Sequence, residues 1–148
     1  MSVMRSLAPI AMLVTAAGCG SDSTGPQSQS QSPSLSGSYT AFEWVTTGGS
    51  GQTNQLIAGS TLLITLNGNG TTTGHMHIAA SNGNPAAEFD MAGTWTQSGN
   101  TVDFTQAADT FVRDMLFDVQ PIATGVVDLI GDQVFSGTQV KLTLRRGA

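Results

Sequence analysis

A chain of 148 residues with a formal net charge of −5 has the length for one domain around one hydrophobic core, and dividing it in two would leave neither part enough to bury. Only 10% of the residues are charged and five are basic, so the cationic surface that a phosphate backbone demands is missing, which argues against nucleic acid as a partner. Eighteen glycines, many Thr and Ser, and few long helix formers favour strands and turns and place the folded part in the all-β class.

Arg5 is the only charged side chain before an apolar run over residues 7–17, which Pro9 and Thr15 interrupt. A run of about eleven residues is too short for a bilayer, which takes about twenty. The small residues Ala16, Ala17 and Gly18 close the run, and this order is that of a secretory signal. The single cysteine, Cys19, has no internal disulfide partner and stands directly after them. The arrangement resembles a bacterial lipobox, with Ala16 where Leu is commoner. The resemblance implies a lipoprotein signal peptide over residues 1–18 and a lipidated Cys19 as the mature N-terminus. It also implies a membrane as partner through that anchor, and a place in the bacterial cell envelope at the outer membrane. An ordinary signal peptide cut near Ala17, leaving a free thiol, is the alternative. Residues 20–34 are Gly, Ser, Asp, Thr, Pro and Gln only, with nothing to contribute to a core. Residues 19–34 are therefore expected to form a disordered tether reaching on the order of 20 Å, with the folded domain over residues 35–148.

Within the domain, residues 38–47 have strand composition but carry aromatics on both alternating sets, Tyr39 on one and Phe42 with Trp44 on the other, so the inward face is ambiguous. Gly48, Gly49, Ser50 and Gly51 make a flexible loop, and residues 52–59 lead onward as a segment able to lie across one mouth of a barrel. The clearest element follows. Leu62, Ile64 and Leu66 alternate with Thr61, Thr65 and Asn67, and Leu63 is the exception. Two overlapping Asn-Gly pairs at residues 67–70 suit a tight turn, and residues 71–78 return as a β-branched strand.

A polar turn over residues 80–86 precedes a strand over 88–96, with Phe89, Met91, Gly93 and Trp95 on one side. After a turn at 97–100, Val102 and Phe104 point inward from a strand over 101–105, completing a hairpin. Residues 107–112 form a short helical or irregular link, and residues 114–119 alternate again except at Leu116. Pro121 ends that strand or begins the next. Residues 125–130 run into an expected turn at Gly131-Asp132, and residues 139–145 close the chain with Val140, Leu142 and Leu144 on one face. About eight antiparallel strands with short connections predict an eight-stranded up-and-down barrel, because closure removes the exposed edges.

This strand pattern resembles the lipocalin-like (calycin) barrels, several of which are bacterial outer-membrane lipoproteins. Lipocalins open with Gly-x-Trp, whose aromatic sits beneath an arginine near the last strand. Gly37-Ser38-Tyr39 stands at that place with Tyr for Trp, and Arg146 shares parity with Leu142 and Leu144. The resemblance implies closure of one barrel end by a Tyr39–Arg146 cation–π contact. Gly59-Ser60-Thr61 with the Asn-Gly hairpin also looks like part of an avidin-type barrel. The tryptophans that line a biotin pocket are missing from the later strands, so biotin binding does not carry over.

His75 and His77 share one face of a strand, a common beginning for a metal site, and Glu88 or Asp90 on a neighbouring strand can add a carboxylate. A polar outer face is the plainer reading, and no cofactor is implied. No serine sits in a strand-turn-helix elbow and the carboxylates are scattered, so an enzyme is not expected. Phe89, Met91, Trp95, Phe104, Met115 and Phe117 are candidates to line an apolar pocket. The leading expectation is a non-catalytic envelope lipoprotein that binds a small apolar ligand or acts as an interaction module. A structural surface domain with a packed core, and a metal-dependent protein using His75 and His77, are the alternatives.

Overall fold

The structure is a computed structural model that describes residues 34–81 and 83–147. The expected signal peptide, Cys19 and all of the tether except Ser34 lie outside the described residues. Ten strands follow one another: β1 (Gly37–Gly48), β2 (Gly51–Asn54), β3 (Thr61–Leu66), β4 (Thr71–Ile78), β5 (Ala87–Asp90), β6 (Gly93–Ser98), β7 (Thr101–Gln106), β8 (Phe117–Ala123), β9 (Val126–Phe135) and β10 (Thr138–Arg146). Every pairing among them is antiparallel, and β10 returns to pair with β1, which closes the wall.

Ten strands make eight staves because two staves are interrupted. Both β2 and β3 lie along the same edge of β1, β2 against Val45–Gly48 and β3 against Gly37–Thr40. Both β5 and β6 lie along β4, β5 against His75–Ile78 and β6 against Thr71 and Thr72. The result is the closed, up-and-down, eight-stave antiparallel barrel that the alternation predicts.

Alternation also sets the core. Leu62, Ile64 and Leu66 point inward from β3, Val102 and Phe104 from β7, and Val140, Leu142 and Leu144 from β10, all of them buried. The ambiguity in β1 is resolved by a bulge between Ala41 and Glu43, where the register against β10 shifts by one residue. A one-residue shift exchanges the two faces of a strand. Tyr39 before the bulge and Trp44 after it are therefore both buried, while Phe42 on the bulge is turned outward.

Four expectations need correction. The strand expected over residues 88–96 is broken at Met91 and Ala92, because Thr72 Oγ1 (2.8 Å) and Gln106 Nε2 (3.3 Å) donate to the Met91 carbonyl and draw it out of the ladder. Gly131 makes no turn: β9 runs straight through it, and the chain reverses at Ser136 and Gly137, both with positive φ. A side chain at 131 would run into the Met115 sulfur, so the glycine serves packing here. Residues 52–59 are not one loop across a mouth: 52–54 belong to β2, and a turn over 55–59 follows. The turn lies within the wall, where the Gln55 amide donates to the Trp44 carbonyl (2.8 Å) and fills the gap between β2 and β3.

The fourth correction concerns the eighth stave. β8 begins at Phe117, later than residue 114, and pairs with β7 only through Thr101 and Val102. Residues 107–116 turn without forming a helix and pack into the barrel. Val112 and Met115 are fully buried, and the Phe111 ring lies 5.4 Å from Trp44 and 6.3 Å from Phe135, centroid to centroid. The barrel is plugged by its own connector.

Candidate functional site

The six residues expected to line a pocket are not arranged as a pocket. Met91, Met115 and Phe117 have 0% accessible surface and Phe104 has 1%. A void able to hold a ligand would leave exposed area on its lining, so these four side chains pack against one another and the connector. Phe104 and Phe117 meet edge to face with centroids 5.3 Å apart, a favourable arrangement for two rings. Phe89 and Trp95 are half-buried at the margin of the core, and the Trp95 indole donates to the Asn67 carbonyl at 3.0 Å.

The Tyr39 and Arg146 pair closes one end, by contacts other than the expected one. The two are register partners across β1 and β10. The Tyr39 hydroxyl donates to the Leu35 carbonyl at 2.8 Å, and burial pushes its pKa up against the opposing influence of Arg146. The Arg146 stem lies across Gly37, and its guanidinium donates to the carbonyls of Ser34, Ser36 and Gly125. Arg146 thus clasps the lead-in to β1. The cation–π contact forms instead between Arg145 and Phe42, with the guanidinium carbon 3.6 Å from the ring centroid, because the bulge turns Phe42 outward.

His75 and His77 are brought together with Glu88, as their spacing suggests. Glu88 Oε2 lies 2.6 Å from His75 Nε2, and Glu88 Oε1 lies 2.5 Å from His77 Nδ1. Asp90 stands farther off, 3.9 Å from His75 Nδ1. The hydrogen bond from His77, with a further one from His75, holds the Glu88 carboxyl below its usual range against a smaller desolvation effect. These are hydrogen-bond separations. Two donors sharing a tetrahedral metal at about 2.0–2.1 Å stand about 3.4 Å apart. Among the described residues no three His, Cys, Asp or Glu side chains are disposed to hold a metal ion.

What sequence reasoning missed is the outer wall. Cross-strand partners run in one transverse row from Asp90 on β5 through His75 on β4, Leu63 on β3 and Thr40 on β1 to Arg145 on β10 and Asp128 on β9. Arg145 grips Asp128 with two hydrogen bonds of 2.8 and 2.7 Å, and those bonds raise the Arg145 pKa. Two open grooves flank the middle of the row. One of about 410 Å³ is lined by Leu56, Leu62, Leu63 and His75 among others, and one of about 380 Å³ by Phe42, Val126, Arg145 and Arg146. Thr40 and Ala41 belong to both. The signal was present as exceptions to alternation: Leu63, Leu116 and Phe42, the residues that break the pattern, are 45%, 61% and 58% exposed.

Fold and site together define a small closed antiparallel barrel with a packed interior and an apolar strip on its outer wall. No protein-family model matches the chain, and no curated protein and no solved structure matches it at a significant level.

Proposed function

We propose that this chain is an envelope lipoprotein, held at the outer membrane by lipid on Cys19, whose barrel works without catalysis as an interaction module. One observation carries the second half of this reading: three of the six exposed large apolar side chains of the described residues, Phe42, Ile57 and Leu63, stand at or beside the two grooves of the outer wall, while the interior is filled. Three of the basic side chains are already engaged with carboxylates. Arg113 is paired with Asp109 and Asp114, Lys141 with Glu43, and Arg145 with Asp128. A packed interior also suits a purely structural surface domain, and the apolar outer strip favours the interaction module over it.

Membrane fractionation and native mass spectrometry test both halves. The full chain should partition with membranes and carry acyl mass, and Cys19→Ser should release it, because several acyl chains hold a protein where one holds it only marginally. The same chain should carry no non-covalent lipid. Unchanged fractionation of Cys19→Ser, with no acyl mass on the wild type, would overturn the anchor. A stoichiometric lipid lost only on unfolding would return the barrel to ligand binding.

A further inference from the structure

Ile57, in the turn between β2 and β3, is the most exposed large apolar side chain of the described barrel at 85%. Its neighbour Leu56 lines the larger groove, so a protruding side chain and an apolar hollow stand side by side. The two ends of the strip differ in charge. Beyond His75 lie Glu88 and Asp90, with the Asp90 side chain 91% exposed. At the other end, Arg145 is neutralised by Asp128, but Arg146 is held by backbone carbonyls, and among the described residues no carboxylate pairs with it.

Such a strip is complementary to itself. A two-fold axis through its middle sets the acidic end of one copy against the basic end of the other, with Ile57 and the hollow beside it inside the contact. Isologous contacts of this kind close at two subunits. We propose that this face is a homodimer interface and that its occupant is a second copy of the chain. The inference stands on the outer wall alone and needs no lipid anchor.

A small apolar ligand fits less well, because the grooves are open to solvent and flanked by opposite charges that it would leave unmatched. The size of the strip sets the strength of the contact. From β5 to β10 it crosses five strands, which at about 4.8 Å spacing is about 20 Å. A contact of that length points to a reversible, concentration-dependent dimer.

Sedimentation of the full chain carrying Cys19→Ser, which removes acyl chain and thiol together, reads this directly. The mass should rise from one chain to two with concentration. Ile57→Asp should abolish that rise, and Asp90→Lys, which sets like charges opposite Arg146, should weaken association at least about tenfold. Both positions are exposed, and unchanged melting midpoints would show both variants folded. A monomer at every concentration overturns the proposal, as does a dimer that both substitutions leave intact. A monomeric wild type that binds decanoate saturably, and loses it in Leu63→Asp, assigns the groove to a small amphiphile and overturns the dimer as well.

Discussion

The wall formed by β9, β10 and β1 and the wall around β5 to β8 are built in different ways. In the first, β10 pairs with β9 from Thr138 to Arg145 and with β1 from Gln139 to Arg146, so a nearly unbroken backbone ladder runs the height of the barrel. In the second, β5 pairs only with β4, β6 meets β4 only at Thr71 and Thr72, and β7 meets β8 only at Thr101 and Val102. β6 and β7 pair along their whole length, but at the β4–β6 and β7–β8 seams side chains do what the ladder does on the other side. Phe104, Phe117, Val112 and Met115 fill the space that a full-length stave would enclose. Backbone pairing tolerates the loss of one side chain better than a plug does, because a plug has no ladder to hold its neighbours in place.

Phe117→Ala should produce the largest effect. The ring is fully buried at the joint of plug and wall, and its loss should cost about 3–5 kcal/mol in thermal or denaturant unfolding. Hydrogen exchange sharpens the contrast: amides of β7 and β8 should lose protection in this variant well before those of β9 and β10. Uniform loss across the barrel would erase the difference between the walls.

Gly131→Val comes next. Its side chain would enter the space of the Met115 sulfur, and overpacking of this kind should cost about 1–3 kcal/mol. Pairing it with Met115→Ala should recover part of the loss, because the smaller residue vacates the contested space. No recovery would mean that the nearby Phe117 ring, and not Met115 of the plug, is what a side chain at 131 meets.

Tyr39→Phe probes the continuous wall. It removes the hydroxyl bonded to the Leu35 carbonyl and should cost about 0.5–1.5 kcal/mol, less than either change in the plug. Burial raises the Tyr39 pKa above its ordinary value of 10.0, so the neutral hydroxyl favours the folded state. That contribution is fully present below pH 10.0 and is lost as pH rises through the folded-state pKa, so the wild-type advantage should narrow in strong alkali.

Glu88→Gln should have the smallest effect and a characteristic pH dependence. The folded Glu88 pKa is depressed from its ordinary 4.5, chiefly by the bond from His77. Its contribution is present above that value and disappears as pH falls through the depressed pKa. Melting curves of wild type and variant should differ near neutrality and converge in acid. A difference that persisted in strong acid would show that the carboxylate is not the source.

The comparison also marks what was legible in the residues. Local alternation, read two residues at a time, found the β3–β4 hairpin, the inward faces of β7 and β10 and the closed barrel, because a strand half-buried on one face needs no information beyond its own neighbours. The His75, His77 and Glu88 cluster was legible for the same reason, since same-face spacing on β4 and an adjacent strand were enough to bring the three together. Gly131 was misread because a glycine that makes room for a distant sulfur looks the same as one that makes a turn.

The sequence by itself thus determined the strand content, the polarity of most faces and the number of staves, all of which follow from a period of two. Only the tertiary structure decided which residue of β1 bulges, that the β7–β8 connector fills the interior, and that Leu63 and Phe42 share one outer face with Arg145. Each of these depends on register between strands remote in the chain, such as Thr40 with Arg145, where a one-residue shift exchanges inside for outside. Nothing within reach of a single strand records that choice, because the energy that makes it lies in the packing of the whole barrel.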